Sequence, residues 1–262
     1  MNSIKVGIIG GGFGYYGHYK AIKKLKNFDV IAIATNRRIK LNKNIKVYKD
    51  PIDLIITEKL DLITVATIPK LQEKLFPYLI KKNCLILLEK PMGINYKKIV
   101  KFKPFNKKIG INFTFPEIEE FKYLKRKIIS RNLKKITINW KFFSNHTGKN
   151  SWKNNPKYGG GIIYNYFSHV LYYIKFIFGK IKKIEKIKKN KNYFKCIITT
   201  HTKNKIIFIL DTKYNGKPIH EIIIKDQNEN ILKTNDALRF NNFDLFKNKK
   251  KLKLIKNKKK LD

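Results

Sequence analysis

Three side chains in this sequence combine a reactive type with a telling position: Lys90, Asn165 and His169. Lys90 follows the apolar run Cys84–Leu88 in the string Glu89-Lys90-Pro91-Met92-Gly93. A lysine at the carboxyl end of a parallel strand points into the crevice where open α/β sheets take ligands, and a partly buried ammonium there can donate hydrogen bonds or move a proton. By number alone it would be one surface lysine among 54, and only its flanking residues set it apart. Asn165 and His169 follow Gly159-Gly160-Gly161 and are spaced i, i+4, so they share a face of any helix that forms there. The other positions of that stretch are mostly apolar, which predicts a buried helix. Periodicity leaves two readings open, a satisfied core pair and an active-site pair.

A second kind of chemistry is written in glycine. The apolar run Val6–Ile9 ends in Gly10-Gly11-Gly12-Phe13-Gly14, and a helical pattern begins at once. Glycine serves where a strand turns tightly and where backbone must approach a pyrophosphate, while the helix N-terminus supplies N–H groups and a positive dipole end. Tyr15 stands where G-x-G-x-x-G has its last glycine, with Gly14 one place early. A strict Gly12, Gly14, Gly17 spacing also exists but starts late after the strand, and the alternative to a phosphate loop is a tight turn with no ligand. The next apolar run ends Ala34-Thr35-Asn36-Arg37-Arg38. An NAD-preferring site usually places Asp or Glu here for the ribose 2′-OH. With no carboxylate present, Thr35, Asn36 and Arg37 lean towards a 2′-phosphate and hence NADP, against the plain reading of solvated loop charges.

These residues need a scaffold, and the hydrophobic pattern predicts one. Candidate strands Lys5–Ile9, Val30–Thr35, Leu62–Ala66, Cys84–Leu88 and Lys108–Asn112 alternate with helical patterns near Tyr15–Leu25, Pro51–Glu58, Pro69–Lys81 and Tyr96–Lys101. Pro51 and Pro69 suit a first helical turn. The strands are continuous β-branched or Leu runs, the mark of a parallel sheet covered on both faces. From about residue 111 the rhythm changes: a strand Ile111–Phe115, a helix near Glu117–Ile129, an alternating strand Lys135–Phe143, an apolar helix near Gly161–Phe178, then strands Ile181–Ile187, Tyr193–Thr200, Lys205–Leu210 and Ile219–Ile224. The expected fold is α/β, with a doubly wound parallel Rossmann sheet in residues 1–110. Residues 111–262 form an α+β domain with a mostly antiparallel sheet. The lysine-rich tail 248–262 shows no turn signal and reads as frayed.

Composition narrows the function classes. The formal charge is +41, but five of 59 basic residues are arginine, alanines number five, and Lys, Asn, Ile, Phe and Tyr abound in every segment. That is the residue set of A+T-rich codons, and lysine stems tolerate such drift by lying over apolar surface. No specific nucleic-acid partner is expected; a basic stripe on one face would favour that rival. Two unrelated cysteines exclude a disulfide framework and a cysteine metal site, which fits a reducing cytoplasm. Neither a signal-peptide pattern at Met1–Val6 nor a membrane-length apolar run is present, so no membrane partner is expected.

Together the residues resemble the glucose-fructose oxidoreductase/inositol dehydrogenase/rhizopine catabolism (Gfo/Idh/MocA) family. The resemblance rests on the Gly10-x-Gly12-x-Gly14 loop with His18, Ala66-Thr67-Ile68-Pro69, Glu89-Lys90-Pro91, Ser151-Trp152-Lys153 and the Gly159–His169 segment. It implies a dinucleotide domain, a substrate domain whose open sheet serves homo-oligomerisation, and hydride transfer on sugars, polyols or related molecules. Lys90 becomes a catalytic or substrate-orienting group near the nicotinamide, with a cis bond before Pro91. His169 becomes the general acid/base on the reacting oxygen, since a hydride leaving carbon as the hydroxyl proton departs needs a base within reach. Cofactor contacts are implied at Gly10, Gly12, Phe13, Gly14, Thr35, Asn36, Arg37, Thr67, Pro69, Gln72, Glu89, Trp152 and Lys153, with Gln72 standing where the family often has His. Asn165 replaces a frequent Asp, and the chain is short for the family at its C-terminus. The expected function is an NAD(P)-dependent oxidoreductase acting on CH–OH groups of a sugar-like or nucleotide-sugar substrate, with Asn165 assisting. The rival is a catalytically impaired dinucleotide-binding protein, a sensor or eroded enzyme.

Overall fold

The computed structural model describes residues 3–128, 133, 135–144, 151–225, 229–234, 236 and 242–254. They fall into two compact units: one holds the residues through Asn112 together with Asn155–Gly159, the other takes the rest.

The first unit is built on six strands: β1 (Ile4–Ile9), β2 (Phe28–Ala34), β3 (Lys46–Tyr48), β4 (Leu62–Val65), β5 (Leu85–Glu89) and β6 (Ile109–Asn112). They pair in the order β3-β2-β1-β4-β5-β6, all parallel. The apolar runs of β1 and β4 bury both faces. Val6 and Ile8 face a cluster with Tyr19, Ile22 and Ile33, while Ile9, Ile63 and Val65 face one with Leu54, Leu75, Phe76 and Leu88. This is the doubly covered parallel sheet expected. Its helices start where the sequence marks them. In α2 (Pro51–Thr57) the Asp50 carboxylate caps Ile52 N–H at 2.8 Å, and α3 (Pro69–Leu79) opens on its proline.

Several boundaries differ from expectation. The helix after β1 is not a uniform α-helix over Tyr15–Leu25: Gly14–Tyr19 is π-helical and only Lys20–Ile22 (α1) is α. The Tyr96–Lys101 pattern gives α4 (Tyr96–Ile99), capped by Asn95, and then a 3₁₀ run Val100–Lys108. The expected strand Ile111–Phe115 is absent: β6 stops at Asn112, and Pro116 helps form a 3₁₀ turn Phe115–Glu117.

The second unit packs α5 (Glu119–Ile128) and α6 (Ser168–Phe178) on an eight-stranded sheet. Its strands are β7 (Lys135–Lys141), β8 (Ile181–Lys189), β9 (Tyr193–Thr200), β10 (Lys205–Asp211), β11 (Ile219–Lys225), β12 (Glu229–Thr234), β13 (Asp244–Lys247) and β14 (Lys250–Leu252). The order is β14-β13-β12-β11-β7-β10-β9-β8, antiparallel except for β7 beside β10. Alternation puts Ile136, Ile138 and Trp140 of β7 and Phe194, Cys196 and Ile198 of β9 in the core. The tail reading is corrected here: β13 and β14 form a hairpin turning at Asn248 and Lys249, whose φ values of 47° and 66° lie in the left-handed region. Asn248 is a turn signal of the kind that tolerates this backbone. Residues 255–262 of the expected tail, like Ile129 at the end of the expected α5, lie outside the described residues. Among the described residues no helix is long and apolar enough to cross a membrane.

Candidate functional site

Parallel strands bring distant segments to one edge. Ala34, Ile9, Val65 and Leu88 are neighbours in register, and Glu89 pairs with Asn112. The segments that follow them, Gly10–Gly14, Thr35–Arg37, Ala66–Pro69 and Glu89–Pro91, therefore share the carboxyl edge of one sheet. The strand order reverses there between β1 and β4, the place where open α/β sheets bind ligands.

Gly10 has φ +123°, and a Cβ there would lie 2.3 Å from the Ala66 carbonyl oxygen, so only glycine lets β1 turn against the end of β4. Gly12 is different: the nearest atom a Cβ would meet is Nη1 of Arg37, 3.9 Å away. The loop is thus open over Gly12 and bounded by a guanidinium. Gly14 takes the close-packing role one place early, for a Cβ there would come within 3.3 Å of Ile8. Tyr15 and Tyr16 N–H both donate to Gly12 O, and the amides before them start the helical run without intrahelical partners. Backbone donors and a bare Cα form a cradle that fits the diphosphate of a dinucleotide, with the Arg37 guanidinium at its edge. Of the Thr35-Asn36-Arg37 trio, Thr35 is buried and its Oγ1 accepts from Arg37 N–H at 3.0 Å, Asn36 is exposed, and Arg37 reaches the loop.

The Glu89-Lys90-Pro91 turn is held from three directions. Gln72, fully buried on α3, donates to the carbonyl oxygens of Glu89 (3.0 Å) and Pro91 (3.1 Å). Glu89 Oε1 accepts from His18 Nε2 (2.9 Å) and Asn112 Nδ2 (2.7 Å). The Lys90–Pro91 bond is cis, and Lys90 is half-buried. Pro69 is buried at the start of α3, where Gly159 of the Asn155–Gly159 segment abuts it; Thr67 is half-buried. Phe13 is exposed, its ring lying against Gly17 and edge-on to His18.

In the second unit Trp152 and Lys153 are half-buried in a 3₁₀ turn. A Cβ on Gly160 would strike the Trp152 carbonyl oxygen at 2.2 Å, and Gly161, at φ +94°, donates to Lys153 O. Asn165 lies in the π-helical run Ile163–Phe167 that leads into α6, and its Nδ2 also donates to Lys153 O, at 2.9 Å. A small cavity of about 60 Å³ opens there, lined by Lys153, Gly161, Asn165, Tyr166, Ser144 and Thr212. His169 is buried at the start of α6 with its ring edge-on to Phe113 and Phe115. The structure thus joins Asn165 to Lys153, and His169 to an aromatic wall. Sequence reasoning missed Asn112 as Glu89's partner, though a lone polar residue ending an apolar strand was its signal. It also missed His220, fully buried on β11 under Trp140 (ring centroids 4.3 Å apart), where burial pushes the imidazole down to about 3. Among the described residues no group of three His, Cys, Asp or Glu could hold a metal ion.

A parallel 3-2-1-4-5-6 sheet with a glycine loop at its switch point defines a protein of the dinucleotide-binding (Rossmann) fold class. Residues 4–111 match the model of the Gfo/Idh/MocA family, described as an oxidoreductase family with an NAD-binding Rossmann fold. No curated protein matches. Among solved structures the chain is similar to the WlbA dehydrogenase of Bordetella pertussis, in complex with NADH and UDP-GlcNAcA, at 13% identity and TM-score 0.79, covering 91% of this chain and 80% of that one. It is also similar to scyllo-inositol dehydrogenase of Lactobacillus casei, with bound NAD(H) and scyllo-inositol (15%, 0.74, 89% and 76%). A third is D-galactose-1-dehydrogenase of Rhizobium etli (16%, 0.75, 97% and 84%). At these identities the likeness is one of fold.

Proposed function

We propose that this protein is an NAD(P)-dependent dehydrogenase or reductase acting on a CH–OH carbon of a sugar-like or nucleotide-sugar substrate. The observation that carries the reading is the shared edge of one sheet: the open, arginine-bounded glycine loop and the anchored Lys90 turn follow strands β1 and β5 of the same parallel array. The dinucleotide, when bound, supplies the acceptor or donor of the hydride. In this reading Lys90 donates a hydrogen bond to the reacting oxygen, and His169 takes the hydroxyl proton in oxidation and returns it in reduction. Asn165 orients the substrate or the imidazole but, unlike Asp, adds no charge to stabilise imidazolium. The ligands of the similar dehydrogenases, a nucleotide-sugar acid and a polyol, support the substrate class.

Finer parts of the proposal have their own supports. Arg37 over Gly12 and the lack of a carboxylate after β2 favour NADP. Homo-oligomerisation through the second unit's sheet is supported by a row of half-buried residues on the face away from the helices: Ile197, Ile207, Thr137, Ile223, Ile231 and Phe246, paired in register across six strands. Two buried free thiols, Cys84 and Cys196, accord with a cytoplasmic setting.

The test is titration with NADPH and NADH, then a screen of hexoses, polyols and nucleotide sugars by nicotinamide absorbance. Lys90→Met and His169→Ala should lower turnover by at least about a hundredfold while leaving dinucleotide affinity intact. Dinucleotide binding without turnover on any substrate would favour the impaired-enzyme reading. Unchanged turnover in either variant would remove that residue from the mechanism.

A further inference from the structure

We propose that His18, Glu89 and Asn112 form a positioning cluster for Lys90, tying the helix after the glycine loop to the turn that carries the lysine. The assignment rests on the reading of Lys90 as a working group, and it gives Glu89 a different task from direct cofactor contact.

His18 belongs to the π-helical run opened by the glycine loop and is 7% exposed. Glu89 is the last residue of β5 and Asn112 the last of β6, and the two are paired in register. A carboxylate whose side chain is 15% exposed needs donors, and Oε1 has two, the His18 imidazole at 2.9 Å and the Asn112 amide at 2.7 Å. An ionised carboxylate only accepts, so the His18 proton is on Nε2. Charge-assisted bonds of this kind are short, directional and stronger than neutral ones.

Lys90 follows immediately. Its flanking carbonyls, on Glu89 and Pro91, are both bound by the amide of Gln72, which is fully buried on α3. Backbone and preceding side chain are therefore fixed from three elements, the helix after β1, α3 and β6, all inside one unit. A lysine has four rotatable bonds, and fixing its root narrows the region the ammonium can reach. The element carrying His18 begins at the diphosphate cradle, so a shift of that helix reaches Glu89 through a single hydrogen bond.

A merely structural ion pair would change stability and nothing else, so the test follows Lys90 itself. The full-length protein, without dinucleotide, is treated with an amine-acylating reagent, and the rate at Lys90 is read by peptide mass spectrometry against the exposed Lys43. In His18→Ala and Asn112→Ala the relative rate at Lys90 should change by about threefold or more, while His18→Gln, which keeps an N–H near Glu89, should stay close to wild type. Should His18→Ala not fold, the milder Asn112→Ser carries the test. With substrate, kcat should fall about tenfold and the KM for dinucleotide should hold. Lys90 rates equal to wild type in the folded variants overturn the proposal. A wild-type protein that binds no dinucleotide would instead defeat the functional reading, and the reactivity comparison would still be readable.

Discussion

The phenol of Tyr173 on α6 lies 3.1 Å from Nε2 of His220 on β11, in a core where His220 is also stacked on Trp140. The hydroxyl both donates and accepts, so either neutral tautomer of the ring satisfies the pair, and burial, which disfavours the charged form, pushes the imidazole down to about 3. In the unfolded chain the same ring titrates near 6.5. Above that value both states are neutral and the group contributes no pH dependence. Below it the unfolded chain takes up a proton that the native core refuses, so stability falls as pH falls, down to about 3.

The measurable consequence is a slope. Between pH 6.5 and pH 5 this residue alone should remove about 2 kcal/mol of unfolding free energy. Denaturant unfolding of wild type and His220→Gln at both pH values isolates the term. The variant should be less stable at neutral pH yet lose less on acidification, and parallel losses would refute the assignment.

Two glycines of one loop should respond in opposite ways. Gly10→Ala meets a backbone carbonyl at 2.3 Å and an unfavourable φ, and should cost about 2 kcal/mol or more in stability. Gly12→Ala projects a methyl into the space bounded by Arg37 and should leave Tm unchanged while weakening dinucleotide binding about tenfold. Thermal melts with and without dinucleotide separate the two effects. A Gly12→Ala protein that binds as wild type does would mean that the cradle is not used.

How far these features could be read from sequence depended on whether their cause was local. Pro51, Pro69 and the Gly10–Gly14 string act on their own neighbours, and the structure has the α2 and α3 starts and the strand-to-helix turn where they stand. The edge strand β3 is three residues, Lys46-Val47-Tyr48, too short for any periodicity, and it went unread. Strands β12 to β14 have six, four and three residues, and runs as short as Asp244–Lys247 and Lys250–Leu252 give alternation little room to show. The Glu89 anchorage could not be assembled from sequence because its partners lie 71 and 23 residues away: parallel register brings in Asn112, whose polarity at a strand end was the one local sign, and the helix after β1 brings in His18.

Arg37 offers a direct test of cofactor form. Its guanidinium lies beside Gly12, and its backbone N–H is fixed to Thr35 Oγ1. If it meets a 2′-phosphate, Arg37→Ala should weaken NADPH binding by about tenfold or more and leave NADH nearly untouched. Equal losses for the two dinucleotides would instead mean that Arg37 serves the diphosphate common to both.

The sheet of the second unit makes the last prediction. On the face opposite α5 and α6, Ile207 pairs with Ile197 on one side and with Thr137 on the other, Thr137 with Ile223, and Ile223 with Ile231. The adjoining row carries Glu221, hydrogen-bonded to Asn139 at 2.7 Å, then Lys233 opposite Asp244, so both charge signs flank the isoleucines. Such a face can pair with its own copy, apolar row to apolar row, with charges of opposite sign at the rim. Because Ile223 and Ile231 are half-buried, not core residues, replacing both by Asp should leave the monomer folded while removing apolar contact and placing like charges across the interface. Sedimentation of wild type should give an oligomer and of Ile223→Asp/Ile231→Asp a monomer with unchanged circular dichroism. A wild-type protein that sediments as a monomer at micromolar concentration would refute self-association through this sheet.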